Sequence, residues 1–255
     1  MALRIFHTAD LHLGMRFAGY PEVRGQLSEA RYATLERLVD TANAEGCSLF
    51  VVAGDLFERQ TLTKAEVTRA AHALNRFEGD AALVLPGNHD YIGPESQLWH
   101  WFKEAAGDRV ILLESQEVYD LSDYGVNAAV YAAPCEAKHS STNRIGWIAE
   151  RAAAGQEPPV AIGVAHGSLE DVSPDFEARY FAMRHEELEA AGLTLWLLGH
   201  THVPYPETPG RGHRIYNPGT PEPDGFDCGH EGRAFVIDIE RPAESDSGGR
   251  ASPGA

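Results

Sequence analysis

The chain has 255 residues, 43% of them hydrophobic, and a formal net charge of −17. That length and hydrophobic content suit one large α/β domain with a full core. The acidity argues against a broad basic surface with nonspecific affinity for nucleic acid, although bound divalent cations can reverse the field locally.

Apolar runs of strand length alternate with helical patterns along the chain. The first half predicts strands at 3–9, 48–53, 81–85 and 110–113, separated by helices at 21–45, 63–77 and 95–106. The second half predicts a strand at 126–132, a helix at 143–154, and strands at 160–165, 193–198, 214–216 and 234–239. The early β-α-β order implies parallel pairing, and the shorter later strands indicate a second sheet packed on the first.

Two of the predicted helices carry apolar patterns. Helix 21–45 has an approximate stripe of Val23, Leu27, Leu35, Leu38, Val39 and Ala42. Helix 95–106 carries Leu98, Trp99, Trp101 and Phe102, for which core packing is the first interpretation and a homodimer face the second. Residues 241–255 show no periodicity and are expected to be disordered, which places the folded domain at 1–240.

The cysteines and the first residues bear on the compartment. Cys47, Cys135 and Cys228 are far apart and lack a C-x-x-C spacing, which predicts idle thiols in a reducing compartment rather than disulfides or a thiolate zinc site. The chain runs from Met1 directly into a strand-like segment, and its longest apolar runs are too short to cross a bilayer. We therefore expect a cytoplasmic protein without a membrane span.

Five short polar groups fall where a predicted strand ends and a loop begins. They are Asp10-Leu11-His12, Gly54-Asp55, Gly87-Asn88-His89-Asp90, His166-Gly167 and Gly199-His200-Thr201-His202. Loops at the carboxyl ends of strands carry the sites of α/β proteins, so these side chains are expected to converge. Each group alone is typical of a turn, whereas five at equivalent positions indicate a common site.

The groups supply only oxygen and imidazole nitrogen as candidate metal ligands. The seven candidates are Asp10, His12, Asp55, Asn88, His166, His200 and His202. Such a mixture without thiolates favours Mn²⁺, Fe²⁺ or Zn²⁺ over ions that prefer an all-oxygen shell. His7 lies within the first strand and is expected to be buried rather than ligating. The remaining histidines are interpreted as surface or loop residues, namely His72, His100, His139, His185, His213 and His230.

The ordered series D-x-H, G-D, G-N-H-D, H-G and G-H-T-H resembles the signature of the calcineurin-like metallophosphoesterases. Within that superfamily, the chain is similar to the SbcD-type DNA repair exonucleases. The similarity lies in T-A-D-L-H-L-G at 8–14, A-G-D-L-F at 53–57, L-P-G-N-H-D at 85–90 and the stretch 184–202 that ends in W-L-L-G-H-T-H. The resemblance implies a four-layer α-β-β-α sandwich with the site at one edge.

The resemblance also implies two divalent metal ions, with Mn²⁺ as the first choice and Fe²⁺ or Zn²⁺ as alternatives. One ion would be held by Asp10, His12 and His202, the other by Asn88, His166 and His200, with Asp55 bridging both. Such a pair clamps a phosphate and activates a water for attack. His89 is implied as the group that stabilises transition-state charge or protonates the leaving oxygen. Asp90 either orients His89 or serves as a helix N-cap or turn residue.

Two departures from the nuclease branch leave the substrate open. Glu58 occupies a position, three residues after the bridging Asp55, that is often histidine in that branch. Only a short tail follows Glu240, so a capping domain that grips duplex DNA is not expected, and an ATPase partner is left open. The leading hypothesis is a Mn²⁺-dependent phosphodiesterase acting on single-stranded or end DNA. Alternatives are a phosphodiesterase or phosphatase for small nucleotides or phosphoproteins, and a catalytically silent scaffold.

Overall fold

Two five-stranded sheets form the body of the protein in a computed structural model that describes residues 2–94, 96–152, 160–173, 175, 177–223 and 231–240. The strands are β1 (Leu3–Thr8), β2 (Leu49–Ala53), β3 (Ala81–Leu85), β4 (Val110–Leu112), β5 (Val118–Asp120), β6 (Ala129–Ala133), β7 (Ala161–His166), β8 (Leu195–Gly199), β9 (Ile215–Tyr216) and β10 (Phe235–Ile239). The helices are α1 (Arg24–Ala44), α2 (Lys64–Leu74), α3 (Gln97–Ala105), α4 (Gly146–Ala152) and α5 (His185–Ala190), and a 3₁₀ turn covers Ser122–Tyr124.

The first sheet has the strand order β10-β1-β2-β3-β4, and the second has the order β5-β6-β7-β8-β9. Within the first sheet β1 to β4 run parallel, and β10 adds an antiparallel edge beside β1. The second sheet repeats this plan, because β6 to β9 are parallel and β5 is the antiparallel edge. The carboxyl ends of neighbouring parallel strands therefore lie along one edge of each sheet.

The hydrophobic core explains the order of the layers. The facing sides of the two sheets pack together through residues such as Ile5, Val51 and Val164. Helices α1 to α3 cover the outer face of the first sheet, and α4 and α5 cover the outer face of the second. The predicted four-layer α-β-β-α sandwich is confirmed.

Local signals in the sequence account for individual elements. Helix α2 begins at a capping box, in which the Thr63 hydroxyl accepts from the amide of Glu66 while the Glu66 carboxylate accepts from the amide of Thr63. In α3, Trp99 and Phe102 are fully buried against the first sheet, as the core-packing interpretation predicts. These aromatic side chains bury large apolar areas and hold α3 on the sheet.

Some predicted elements differ from those observed. Val23 precedes α1 and is 38% exposed, so the apolar stripe of that helix begins further along than the sequence pattern suggested. The strand predicted at 126–132 begins only at Ala129. Strand β5 and helix α5 were not predicted, because three and six residues are too few to show a hydrophobic period. The predicted tail at 241–255 and the end of the helix predicted at 143–154 lie outside the described residues.

The described helices offer no candidate for a membrane span, since none of them combines the necessary length with sufficient apolar character.

Candidate metal centre

All seven candidate ligands lie together at the edge where the carboxyl ends of the parallel strands meet. Asp10 and His12 follow β1, Asp55 follows β2, Asn88 follows β3, His166 ends β7, and His200 and His202 follow β8. Both sheets therefore contribute ligands to the same place. The convergence expected from the strand ends is observed.

The two sheets approach each other very closely at this edge. A methyl group added to Gly199 would lie 2.1 Å from the carbonyl oxygen of Ala53 and 2.8 Å from Cβ of Ala9, so only glycine fits. Two histidines bridge the gap by hydrogen bonds. His7 Nε2 donates to the Leu198 carbonyl at 3.1 Å, and His166 Nδ1 donates to the Ala53 carbonyl at 2.9 Å. His7 is fully buried and not directed at the cluster, as expected.

One group of potential ligand atoms consists of Asp10, His12 and His202. Nε2 of His12 lies 3.2 Å from Nε2 of His202, and Oδ1 of Asp10 lies 3.4 Å from the latter atom. Nε2 of His12 lies 4.0 Å from Oδ1 of Asp10 and 3.9 Å from Oδ2 of Asp55. Two imidazole nitrogens and a carboxylate oxygen facing one another in this way are a suitable donor set for a borderline divalent cation.

A second group of ligand atoms surrounds Asn88. Oδ1 of Asn88 lies 3.0 Å from Nε2 of His166 and 2.9 Å from Nδ1 of His200. Oδ2 of Asp55 lies 3.3 Å from Nε2 of His166. Because Nδ1 of His166 donates to the Ala53 carbonyl, Nε2 of the neutral ring carries a lone pair that faces two further acceptor oxygens. Acceptors that converge without a donor are the arrangement that a cation would satisfy.

Unsatisfied buried atoms provide a test of whether the residues fit metal ions. Among the described residues, Oδ1 of Asp10 and Oδ2 of Asp55 are buried without a hydrogen-bond partner. The other oxygen of each carboxylate does have one, because Oδ2 of Asp10 accepts from the amide of His200 and Oδ1 of Asp55 accepts from the amide of His89. Each carboxylate is thus oriented by one oxygen and directs the other into the cluster. Buried anionic oxygens are costly unless paired or bound to metal, so the donor set fits cations.

The pKa shifts describe the same balance of charge at the cluster. Burial alone would raise the pKa of Asp10, but the charges of His202 and His166 outweigh it and lower that pKa. Burial opposes ionisation of Asp55 as well, and His166 nevertheless holds the pKa of Asp55 well below its usual range. For His166 itself, burial is outweighed by Asp55 and Asp10, which raise its pKa to about 9. Positive charge beside Asp55 and Asp10 is therefore favoured, whether a proton on His166 or a bound cation supplies it.

The backbone is strained at the site. Five of the seven candidate ligands have a positive φ, namely Asp10 (56°), His12 (49°), Asp55 (51°), His200 (92°) and His202 (57°). Non-glycine residues rarely adopt this left-handed conformation, and such residues cluster at functional sites where the surrounding structure holds them in place. The strain indicates that the fold fixes the ligand positions.

His89 lies at the mouth of the cluster, with 29% of its side chain exposed. Its Nδ1 donates to the backbone carbonyl of Glu58 at 3.0 Å, which leaves Nε2 available. The side chain of Asp90 makes different contacts, because its oxygens accept from the amides of Phe57 at 2.9 Å and Gly87 at 2.6 Å. These are the contacts of a residue that holds a turn. Among the described residues the hydrogen bond that orients His89 comes from Glu58 rather than from Asp90.

Burial and the charge of Asp55 raise the pKa of Asp90 to about 7. The carboxyl of Asp90 therefore lies in a site that disfavours a second negative charge close to Asp55. Its two hydrogen bonds to backbone amides act in the opposite direction, because they favour the ionised form. Through these hydrogen bonds Asp90 connects the loop after β2 with the loop after β3, next to the candidate ligands Asp55 and Asn88.

Two residues outside the predicted ligand and catalytic sets contact the cluster, namely Glu58, whose position was singled out from the sequence, and Tyr180, which was not. Oε2 of Glu58 lies 2.9 Å from Nδ1 of His12. The ring of Tyr180 lies 5.0 Å from that of His200, and the ring of His139 lies 5.0 Å from that of Tyr180. Sequence reasoning assigned His139 to the surface, where it lies, but gave no signal for its neighbour Tyr180. An open groove of about 640 Å³, bordered by Arg179, Tyr180, His200 and His202, runs beside the cluster.

Comparison with known protein families gives a match that extends over most of the chain. Residues 3–204 match the family described as calcineurin-like phosphoesterase. An uncharacterised metallophosphoesterase, YhaO of Bacillus subtilis, is 27% identical over 214 residues, which cover 78% of this chain and 48% of YhaO.

Two further relatives are named for DNA repair and for nuclease activity, respectively. The DNA double-strand break repair protein Mre11 of Methanopyrus kandleri is 25% identical over 240 residues, covering 87% of this chain and 49% of that protein. The SbcD component of the Escherichia coli nuclease SbcCD is 36% identical over 97 residues, covering 35% of this chain and 22% of that component. The chain thus spans about half the length of the first two relatives and less of the third.

Proposed function

The chain belongs to the calcineurin-like phosphoesterase family, and we propose that it is a metal-dependent phosphodiesterase whose active site is the cluster between the two sheets. The observation that carries the proposal is the position of Asp55. Its Oδ2 lies 3.9 Å from Nε2 of His12 in one ligand group and 3.3 Å from Nε2 of His166 in the other. A carboxylate placed in this way can bridge two cations, and two-metal sites of this kind serve displacement at phosphorus.

The residues of the chain have separate tasks in this proposal. Asp10, His12 and His202 would hold one divalent cation, and Asn88, His166 and His200 the other. When bound, the two cations would supply Lewis acidity toward the phosphate and activate a water. Mn²⁺ is proposed as the native metal because the family resemblance implies it, and the donor set of carboxylate, amide and imidazole groups without thiolate suits Mn²⁺, Fe²⁺ and Zn²⁺ alike.

His89 is proposed as the catalytic residue that contacts the leaving oxygen. Its ring is anchored through Nδ1 by the Glu58 carbonyl, so Nε2 points away from the anchor and can reach a substrate. In its protonated form the ring donates a proton at Nε2 to the departing oxygen and, before that, stabilises the charge that develops there. Asp90 supports this arrangement by holding the turn on which His89 lies.

The substrate is proposed to be a nucleic-acid strand or end, as in the SbcD-type nucleases that the sequence resembles. The groove beside His200 and His202 supports this choice, since it is open to solvent and brings the aromatic ring of Tyr180 next to the cluster. Asp175, Glu177 and Arg179 also border the groove, and Arg179 forms an ion pair with Glu177. An aromatic ring can stack on a base. The guanidinium of Arg179 would pair with a phosphate by exchanging its partner Glu177 for it.

The charge of the chain favours a second candidate, a phosphodiesterase or phosphatase for small nucleotides or phosphoproteins. With 38 acidic and 21 basic residues, the chain lacks the general attraction for polyanions that many nucleases have. A small ester would need only the local positive charge of the cations and the few basic groups near them.

Turnover of four substrates in the presence of Mn²⁺ separates these possibilities. The substrates are bis-p-nitrophenyl phosphate, p-nitrophenyl phosphate, a cyclic nucleotide and single-stranded DNA. We expect hydrolysis of bis-p-nitrophenyl phosphate and degradation of DNA. If the protein does not degrade DNA but rapidly hydrolyses a small ester, the second candidate function is supported instead. A metal-loaded protein that hydrolyses none of the four would contradict both and favour a silent scaffold.

A further inference from the structure

Glu58 lies beside the candidate metal centre because the loops that follow β1 and β2 run side by side. The amide of His12 donates to the Asp55 carbonyl, that of Leu13 to the Leu56 carbonyl, and that of Glu58 to the Leu13 carbonyl, at 2.9–3.0 Å. These bonds continue the parallel ladder beyond the strands and fix the backbone of Glu58 next to that of Leu13, the residue that follows His12. The side chains of Glu58 and His12 are therefore close because the backbone pairing holds them there, and not because a flexible loop happens to approach.

The carboxylate of Glu58 faces the side of His12 that points away from the cluster. Oε2 lies 2.9 Å from Nδ1 of His12, while Nε2 of the same ring points toward His202 at 3.2 Å. An N–H bond at Nδ1 of His12 would not point directly at Oε2 of Glu58, so neither of these buried atoms has a well-directed hydrogen bond. The distance of 2.9 Å between the two atoms nevertheless suits a hydrogen bond. The last side-chain torsion of a glutamate has a broad range, so a small rotation of the carboxylate aligns it with the N–H of His12.

A carboxylate in this position determines which nitrogen of His12 carries the proton. An ionised carboxylate only accepts, so the proton of a neutral imidazole resides on Nδ1 and the lone pair resides on Nε2, which faces the cluster. Partners of this kind fix the tautomer and the orientation of ligating histidines. His166 is held in the same way by the Ala53 carbonyl in the second group of ligands.

We propose that Glu58 is a positioning residue that holds His12 through Nδ1 and thereby sets the metal affinity of the group formed by Asp10, His12 and His202. The inference rests on the proposed function, since it requires that the cluster holds two cations. The group formed by Asn88, His166 and His200 is oriented by other contacts and does not depend on Glu58. The glutamate side chain is both a hydrogen-bond acceptor and an anion. A histidine at this position would not combine these two properties.

Mn²⁺ titration of chelator-treated protein by calorimetry tests the proposal. The wild-type chain is expected to bind two ions. In Glu58→Ala one ion binds about 10- to 100-fold more weakly and the other retains its affinity within about twofold. Glu58→Gln, which keeps a side-chain oxygen as acceptor, is expected to fall between the two. Glu114→Ala, which removes an exposed carboxylate paired with Lys103, is the matched surface control and leaves both affinities unchanged.

Electron paramagnetic resonance supplies a readout that general loosening of the fold would not reproduce. With two equivalents of Mn²⁺ at a concentration between the two affinities of Glu58→Ala, the wild-type chain gives the signal of a spin-coupled pair and the variant gives that of an isolated ion. Two ions bound with unchanged affinity in both Glu58 variants would overturn the role of Glu58 alone. A wild-type chain that binds no metal would overturn the proposed function itself. If Glu58→Ala does not fold, Glu58→Gln decides the question by the same two measurements.

Discussion

A methyl group on Gly54 would lie 2.0 Å from Nδ1 of His166, far inside van der Waals contact. Gly54 also has a φ of +95°, which side chains rarely adopt. The residue that directly precedes Asp55 is therefore fixed both by its own conformation and by a ligand from the opposite sheet. Because of this contact, the glycine before Asp55 is required by the packing of the site as well as by the turn.

Gly54→Ala is expected to displace the ring of His166 and to weaken binding of the second ion. The displacement should lower the free energy of unfolding by about 1–3 kcal/mol beyond the strain of the left-handed conformation. Gly212→Ala is the matched control, because Gly212 has a φ of +91° and no atom within 4 Å of the added methyl. Urea unfolding and Mn²⁺ titration of both variants measure the difference. Equal effects of the two substitutions would mean that the contact with His166 is unimportant.

His89→Gln is expected to separate catalysis from metal binding. Loss of the ring should reduce hydrolysis of bis-p-nitrophenyl phosphate by about 10²- to 10⁴-fold, the range typical of a general acid. The metal content should remain that of the wild-type chain, since the candidate ligands are unaltered. Asp55→Asn is the contrasting variant, because it should lose metal and activity together. An active His89→Gln protein would remove His89 from the mechanism.

Asp90→Ala is expected to destabilise the metal-free protein. The carboxylate of Asp90 accepts from the buried amides of Phe57 and Gly87, and each amide left unpaired costs about 1–3 kcal/mol. Asp123→Ala, at an exposed position, provides the control. The measurement is the urea midpoint with chelator present. An unchanged midpoint for Asp90→Ala would show that these two bonds do not stabilise the fold.

His7 is expected to make folding sensitive to acid. Burial lowers the pKa of His7 from 6.5 to about 3, so below pH 6.5 the unfolded chain binds a proton there that the folded chain does not. Stability from this residue is thus complete above pH 6.5 and is lost as the pH falls, by about 1.4 kcal/mol per pH unit down to about pH 3.

Unfolding free energies of the wild-type chain and His7→Gln between pH 7 and pH 4 measure this effect. The variant should have lower stability at pH 7 but a shallower decline toward acid, because it has no imidazole to protonate at that position. His72→Gln, at an exposed position of α2, is the matched substitution. Parallel pH profiles for His7→Gln and the wild-type chain would show that His7 is not responsible.

The layers and the location of the site were predictable from the sequence for a simple reason. Buried parallel strands are continuously apolar, so they are visible as short hydrophobic runs, and the polar residue that follows each run marks the end of the strand. Asp55 after Leu49–Ala53 is an example. Parallel pairing alone brings such strand ends to one edge of each sheet, whereas the meeting of the two edges depends on how the sheets pack.

The geometry within the site was not predictable in the same way. Positive φ angles at Asp10 and His12 have no sequence signal, because neither residue is glycine and tertiary contacts impose the conformation. The contact between Glu58 and His12 depends on how two loops pair beyond their strands, which no local pattern specifies. The place of Tyr180 beside His200 likewise depends on a long loop and not on a hydrophobic period.

Each of the two ligand groups draws on both sheets, since His202 joins residues that follow β1 and Asn88 joins His166 and His200. Ions bound there would cross-link the two sheets of the sandwich. A cation present at a hundredfold excess over its dissociation constant would add about 2.7 kcal/mol to the free energy of unfolding. The supply of divalent cation would then govern the lifetime of each molecule against proteolysis as well as its rate of turnover.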